Sequence, residues 1–197
     1  SLVNALVPRM RKNAAMFLLG KPAEHGKVTL DIGKIHYEGL RFYGGGESLD
    51  TVANANRRND LLAGGRAVFV GAGGPMGQMH VQRSLEVPNH PATVVVTDLD
   101  RGRLDHMQKR FGDLAKSNGI ELILLSPGDV GGPEHMEDAL RKVAPGGFTD
   151  IVICAPLARL VPDMLTVAAD NAFVNIFAGV GIGNSADIEL ADLCRGS

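Results

Sequence analysis

Cysteine is scarce in this chain, with Cys154 and Cys194 the whole complement among 197 residues, and no C-x-x-C pair occurs. That excludes a disulfide-stapled scaffold and agrees with a reducing compartment, so a cytoplasmic location is expected. A strong charge of either sign is missing too. With 20 Lys and Arg against 22 Asp and Glu, the net charge is −2, which supplies no general attraction to nucleic acid or to a membrane surface. No apolar stretch reaches the ~20 residues needed to cross a bilayer, and the first residues lack a signal-peptide pattern. Ser-His-Asp chemistry has no nucleophile elbow to sit on, because no G-x-S-x-G occurs. His25, His36, His80, His90, His106 and His135 fall in no H-E-x-x-H or Cys/His ligand spacing. No metal site is therefore expected, and these histidines read as surface or helix-face residues, His80 alone lying near the glycine turn described below.

What is present is a globular composition unusually rich in glycine. Hydrophobic residues make up 45%, charged residues 21%, and glycine occurs 25 times, well above the roughly 7% average usage. A chain of this size hides about 70% of its extended surface on folding, enough for one well-buried domain plus an appendage.

The glycines concentrate where they carry chemistry. Gly71-Ala72-Gly73-Gly74-Pro75-Met76-Gly77 closes the apolar run 66–70, and Asp98 ends the next apolar run, 93–97. The G-x-G-x-x-G frame fits from residue 72, with Ala72 in place of its first glycine. Alanine is tolerable there if φ stays negative, and Pro75 suits a first helical turn, whose N–H groups have no intrahelical partner. A diphosphate needs such free N–H groups, the positive end of a helix dipole and a backbone bare of side chains. Asp98, 21 residues beyond Gly77 where about 20 are expected, is placed to accept the hydroxyl protons of an adenosine ribose. Strand, glycine turn, helix, then strand ending in an acid is the order by which a Rossmann unit grips a dinucleotide.

From residue 66 the sequence alternates strand and helix. Strands are expected over 66–70, 93–97, 120–125, 150–154 and 173–177, and helices over 75–86, 101–117, 133–143 and 157–169. The strands are solid apolar runs, as required when helices cover both faces of a parallel sheet. The expected fold class is α/β, a doubly wound, mostly parallel Rossmann sheet with helices on both faces, lacking a sixth strand at residue 197.

Residues 1–60 read as a partial repeat. Leu6-Val7-Pro8, Met10, Asn13-Ala14 and an apolar run to Leu19-Gly20 echo Leu160-Val161-Pro162, Met164, Asn171-Ala172 and the run ending Phe177-Ala178-Gly179, with a gap of about four residues. A strand over 39–44 and a helix over 48–56, capped by Ser48, follow. The expected division is 1–60 as the tail of a first Rossmann-like copy or an appended strand and helix, and 61–197 as a dinucleotide-binding domain. The alternative is that Leu40–Tyr43 pairs with 174–177 and completes the same sheet.

Val70 to Met79, then Val96-Thr97-Asp98-Leu99-Asp100 with Arg103-Leu104, then Gly147 to Ile153, resemble the nucleotide-binding domain of the medium-chain dehydrogenase/reductase family, most closely its polyol, threonine and sugar-phosphate branch. The resemblance covers about 61–197. It implies that Ala72, Gly73, Gly74, Pro75, Met76 and Gly77 hold the pyrophosphate and that Asp98 holds the adenosine ribose. Arg103 would lie along the adenine, and Ala155, Pro156, Phe177, Ala178 and Gly179 would line the nicotinamide side. It implies NAD as cofactor, with NADP possible because Arg101 and Arg103 can pair with a 2′-phosphate. In the family a separate domain carries zinc and most catalytic groups, and that domain is not expected here, so no catalytic residue is assigned.

The expected function is the NAD(P)-binding domain of an oxidoreductase that moves a hydride to or from an alcohol, polyol or sugar phosphate, with a small molecule as partner and a homo-oligomer as assembly. A non-catalytic nucleotide-sensing module and an S-adenosylmethionine-dependent methyltransferase are the competing readings. Met76, Met79, Met107, Met136 and Met164 fall on expected helices and read as core fillers. Arg9, Arg11 and Lys12, and likewise Arg57 and Arg58, read as solvated helix surface.

Overall fold

The computed structural model describes residues 2–20, 26–46, 48–54, 58 and 60–194; His25, Asn56 and Arg57 lie outside them. The chain divides into two compact units. One comprises residues 58–155 with 173–175, and the other the residues up to 57, 156–172 and 176 onward.

The N-terminal part begins with α1 (Leu2–Leu6) and β1 (Ala15–Leu19), followed by β2 (Lys27–Asp31), α2 (Ile32–Glu38), β3 (Arg41–Gly46) and α3 (Leu49–Asn54). β1 and β3 pair in parallel from Ala15 opposite Arg41. Asn13 turns the chain into β1 at φ 62°, a left-handed conformation that asparagine tolerates better than most side chains. The Asp31 carboxylate caps α2 by accepting the Lys34 amide at 3.1 Å, and Gly39 ends the helix at φ 63°. The Ser48 hydroxyl accepts the Thr51 amide at 3.2 Å at the head of α3.

The rest runs through β4 (Arg66–Val70), α4 (Pro75–Glu86), β5 (Thr93–Thr97), α5 (Arg101–Ser117), β6 (Glu121–Leu125), α6 (Met136–Val143), β7 (Phe148–Ile153), α7 (Leu160–Leu165), β8 (Ala168–Ile176), β9 (Ser185–Glu189) and α8 (Leu190–Leu193). A five-stranded sheet has the order β6-β5-β4-β7-β8. β4 pairs in parallel with β5 and β7, and β5 with β6. This is the expected doubly wound α/β class. Its middle is closed on both faces: Val68, Val94, Val95, Val96, Ile151 and Ile153 are fully buried, each such side chain contributing about 1.5–3 kcal/mol relative to exposure. α5 lays Leu104, Met107, Phe111 and Ala115 into the core at helical spacing, with the Asp100 side chain capping it by accepting the Arg103 amide at 3.2 Å.

Several expectations give way. The helix expected over 157–169 stops at Leu165, and β8 starts at Ala168, five residues ahead of the expected strand. Thr166 keeps helical dihedrals, φ −65° and ψ −27°, and a turn in which the Val167 amide donates to the Met164 carbonyl at 3.3 Å leads the chain into β8. The helix expected from 133 opens with a 3-10 turn, Pro133–His135, before α6. Of the methionines read as core, Met107 and Met164 are buried but Met76 and Met79 are 53% and 62% exposed, because the buried stripe of α4 runs through Gly77, Val81, Ser84 and Leu85 instead. Arg58 is not solvated surface: its guanidinium pairs at 2.6 Å with Asp150, whose side chain has no exposure. β2, α2 and β9 were unforeseen, and β9 pairs antiparallel with β2 rather than extending the main sheet.

Candidate functional site

The glycine turn and the acid after β5 form one hydrogen-bonded structure. Gly71, at φ 69°, leads the chain out of β4, and its neighbour Ala72 donates its amide to the Thr97 carbonyl at 2.9 Å. Among the described residues only Asn13 and Asn171 are non-glycines with positive φ, so Ala72 meets the condition under which alanine suits the turn. Gly73 then donates its amide to Asp98 Oδ2 at 2.8 Å, while Asp98 Oδ1 accepts the Asp100 amide at 2.9 Å. The carboxylate is thereby fixed at 9% exposure with lone pairs to spare, since each oxygen has two.

The head of α4 is built for close backbone approach. Gly74 caps the helix in an extended conformation, φ −77° and ψ 169°, with Pro75 following, and its carbonyl accepts the Gln78 amide at 2.9 Å. Gln78 Nε2 also donates to the Gly73 carbonyl at 2.8 Å, which pins the turn to the helix. A methyl group on Gly74 would meet nothing within 4 Å, whereas one on Gly77 would collide with the main chain of Ala72. One glycine thus opens space in front of the helix and the other lets the helix sit against the turn. The first-turn amides of α4 lack intrahelical partners and carry the positive end of its dipole.

The nearby arginines differ in their engagements. Arg101 donates to Asp105 at 2.9 Å and to Asp129 at 2.8 Å, and these bonds raise its already high pKa. Arg103 stands closer to the turn. A carbon on Gly73 would lie 2.9 Å from Arg103 Cβ and 2.7 Å from the Asp98 carboxyl, and Arg103 Nε sits 3.5 Å from Asp100 on an exposed side chain.

The sequence-read residues Ala72 to Gly77, Asp98 and Arg103 therefore come together, and Ala155 joins them, its Cβ 2.5 Å from where a carbon on Gly71 would be. Pro156 is exposed beyond β7, Phe177 is half-buried, Ala178 is buried and Gly179 is exposed; these four belong to the other compact unit. Thr97, Gln78 and Asp100 were missed as parts of the site. Their signal was positional: a hydroxyl residue before the acid, an amide side chain one turn into the helix, and a capping acid two residues on. Burial lowers the pKa of His80 in α4 and pushes the Cys154 thiol, just after β7, up to about 11. Among the described residues no three His, Cys, Asp or Glu side chains cluster to hold a metal ion, and no helix is long and apolar enough to cross a membrane.

No family model matches the chain. It is 32% identical over 123 residues to the uncharacterized protein YggP of Escherichia coli K12, covering 62% of this chain and 28% of that protein. It is 27% identical over 120 residues to the mannitol-1-phosphate 5-dehydrogenase of Aliivibrio fischeri, covering 60% and 28%, and 28% identical over 116 residues to the L-sorbose 1-phosphate reductase of Klebsiella pneumoniae, covering 58% and 26%. A solved structure described as a zinc-binding dehydrogenase from Sinorhizobium meliloti 1021, bound to NADP, matches 74% of this chain and 37% of its own at TM-score 0.50 and 21% identity. The chain resembles the nucleotide-binding part of the medium-chain, zinc-type dehydrogenases. This medium-chain dehydrogenase likeness spans about a quarter of the length of the curated relatives, 26% to 28%, and at 21% identity the solved neighbour speaks for the fold.

Proposed function

We propose that this chain is the cofactor-binding part of an NAD(P)-dependent dehydrogenase or reductase whose substrate is an alcohol, polyol or sugar phosphate. The observation that carries the reading is the Asp98 carboxylate, held between the Gly73 and Asp100 amides beside the open space over Gly74. That arrangement offers a diphosphate a bare helix N-terminus and offers a ribose an acceptor at fixed distance from it. The residues that one unit brings together suit the group: Ala72 to Gly77 would hold the pyrophosphate, Asp98 the ribose and Arg103 the adenine side, with Ala155 toward the nicotinamide. A bound nicotinamide would supply the hydride chemistry, and the protein's part is to orient it and to set the field around it.

Electrostatics favour NAD over NADP. A buried carboxylate at 98 repels a 2′-phosphate, and Arg101 is already engaged by two carboxylates, which leaves Arg103 as the nearby arginine for such a phosphate. The names of two curated relatives, a mannitol-1-phosphate dehydrogenase and a sorbose 1-phosphate reductase, support the sugar-phosphate class of substrate. The same reading takes the protein to act on a small molecule in the cytoplasm as a homo-oligomer.

The test is direct titration with NADH and NADPH, followed by the emission of the nicotinamide itself, since the chain has no Trp to contribute background. Micromolar saturation, tighter for NADH, is the expected result. Binding of S-adenosylmethionine with no response to either dinucleotide would point to a methyltransferase. Dinucleotide binding without turnover of any polyol or sugar phosphate in the full-length protein would point to a sensing module.

A further inference from the structure

Two segments of this chain share several landmarks of local structure at a fixed offset of 158 residues. Asn13 and Asn171, the two non-glycines with positive φ among the described residues, stand at 62° and 57°. β2 and β9 begin and end in step at that offset, Lys27 with Ser185 and Asp31 with Glu189. Each strand runs into a helix whose first residues, Ile32 and Leu190, correspond, and the acids Asp31 and Glu189 hold the N-cap positions. Leu30 and Ile188, also equivalent, are each 1% exposed.

The two segments also pair with each other, and the pairing is reciprocal. Lys27 lies opposite Glu189, Asp31 opposite Ser185, and Thr29 opposite Asp187. Shifted by 158, Lys27 opposite Glu189 becomes Ser185 opposite Asp31, and Thr29 becomes Asp187 itself. The bonds that close the ladder obey the same exchange: the Ile32 amide donates to the Asn184 carbonyl at 3.0 Å and the Leu190 amide to the Gly26 carbonyl at 2.6 Å. Reciprocity of this kind, residue i on j and j on i, defines a two-fold contact in which a patch meets a copy of itself. Two unrelated strands have no reason to centre their ladder on equivalent residues. Glycines seat the flanks, since a carbon on Gly44 would collide with the Leu193 carbonyl and one on Gly33 with the Gly181 carbonyl.

We infer that residues 13–20 with 26–35, and 171–178 with 184–193, are two copies of one self-pairing element, so that this polypeptide makes within itself the two-fold contact that would otherwise join two chains. The partner this surface fits is the other copy in the same chain. On this basis β1 and β3, a parallel pair, close a first α/β unit of the kind that β4 to β8 represent more fully. The inference is independent of the cofactor reading.

Disulfide trapping tests it. The Thr29 amide donates to Asn4 Oδ1 at 3.0 Å rather than across the ladder, so Thr29 and Asp187 form a non-hydrogen-bonded pair. Such pairs stand about 4.5 Å apart between Cα atoms, within disulfide reach. The variant carrying Thr29→Cys and Asp187→Cys is expected to oxidise within one chain, losing two titratable thiols while running at monomer mass on a non-reducing denaturing gel at every protein concentration. Disulfide-linked dimers from Thr29→Cys alone, or a double variant that stays reduced while folded, would overturn the inference. A second readout uses the bond from Thr29 Oγ1 to Asp187 Oδ1, 2.7 Å. Thr29→Asp should lower the melting temperature by setting two carboxylates face to face, and adding Asp187→Thr should restore it; no restoration would equally sink the two-fold pairing.

Discussion

Asp98 accepts the amide proton of Gly73 at 2.8 Å, which ties the acid after the second strand of the main sheet to the glycine turn after the first. One hydrogen bond thus holds the acid and the glycine turn together, rather than leaving two loops free to drift apart. Preorganisation of this kind removes ordering cost from the binding step.

Asp98→Asn keeps one carbonyl acceptor and removes the charge. NADH affinity should fall by about 1–3 kcal/mol, the worth of a charge-assisted hydrogen bond, while NADPH affinity falls less or rises as repulsion of the 2′-phosphate disappears. Paired titrations with the two dinucleotides check this; an equal loss for both would remove Asp98 from the ribose.

The two glycines at the head of α4 should separate binding from folding. Gly74→Ala points its methyl into open space at a φ that alanine adopts freely, so stability should change by no more than about 0.5 kcal/mol while dinucleotide affinity drops. Gly77→Ala drives a carbon into Ala72 and should cost about 1–3 kcal/mol of stability, as overpacking does. Urea melts run alongside cofactor titrations distinguish the two outcomes.

Removing one partner of a buried ion pair leaves an uncompensated charge. Asp150 accepts from Arg58 at 2.6 Å, the Leu62 amide at 3.1 Å and the Thr149 hydroxyl at 2.9 Å. Asp150→Ala should therefore destabilise the protein by about 3–5 kcal/mol, read as a lower denaturant midpoint, although neither the glycine turn nor Asp98 has been touched.

Burial raises the Cys154 thiol to about 11 from an ordinary 9.0. The folded protein keeps this proton between those values while the unfolded chain releases it, so stability should decline as pH rises through that window. Cys154→Ser should remove that part of the slope. Below pH 9 the neutral thiol should react slowly with iodoacetamide in the folded protein and readily once urea unfolds it.

The main sheet was legible because its signals are local and agree with one another. Solid runs such as Val94-Val95-Val96 admit few structures other than a strand covered on both faces, and the spacing of Leu104, Met107, Phe111 and Ala115 admits a helix with one buried stripe. The meeting of the glycine turn with Asp98 was legible for a similar reason: glycines with an acid about 20 residues on form a local pattern of strand, turn, helix and strand. β2 was harder. Its alternation, Lys27 out, Val28 in, Thr29 out, Leu30 in, is a period-2 signal only five residues long, and nothing near it in the sequence announces a partner 158 residues away. Arg58 misled for the same reason. Beside Arg57 it looks like a solvated pair, and its role depends on Asp150, 92 residues later.

Sequence alone determined the layered α/β class, the order of its main strands and helices, and the glycine turn at the head of α4, because each follows from side-chain periodicity or backbone freedom within a dozen residues. Tertiary structure decided which amide the Asp98 carboxylate holds, that Met76 and Met79 face outward, that Arg58 is half-buried against Asp150, and that β2 pairs with β9. Those outcomes depend on which groups meet across the fold, and the free energy of a buried charge or a closed ladder exists only once the distant partner is in place.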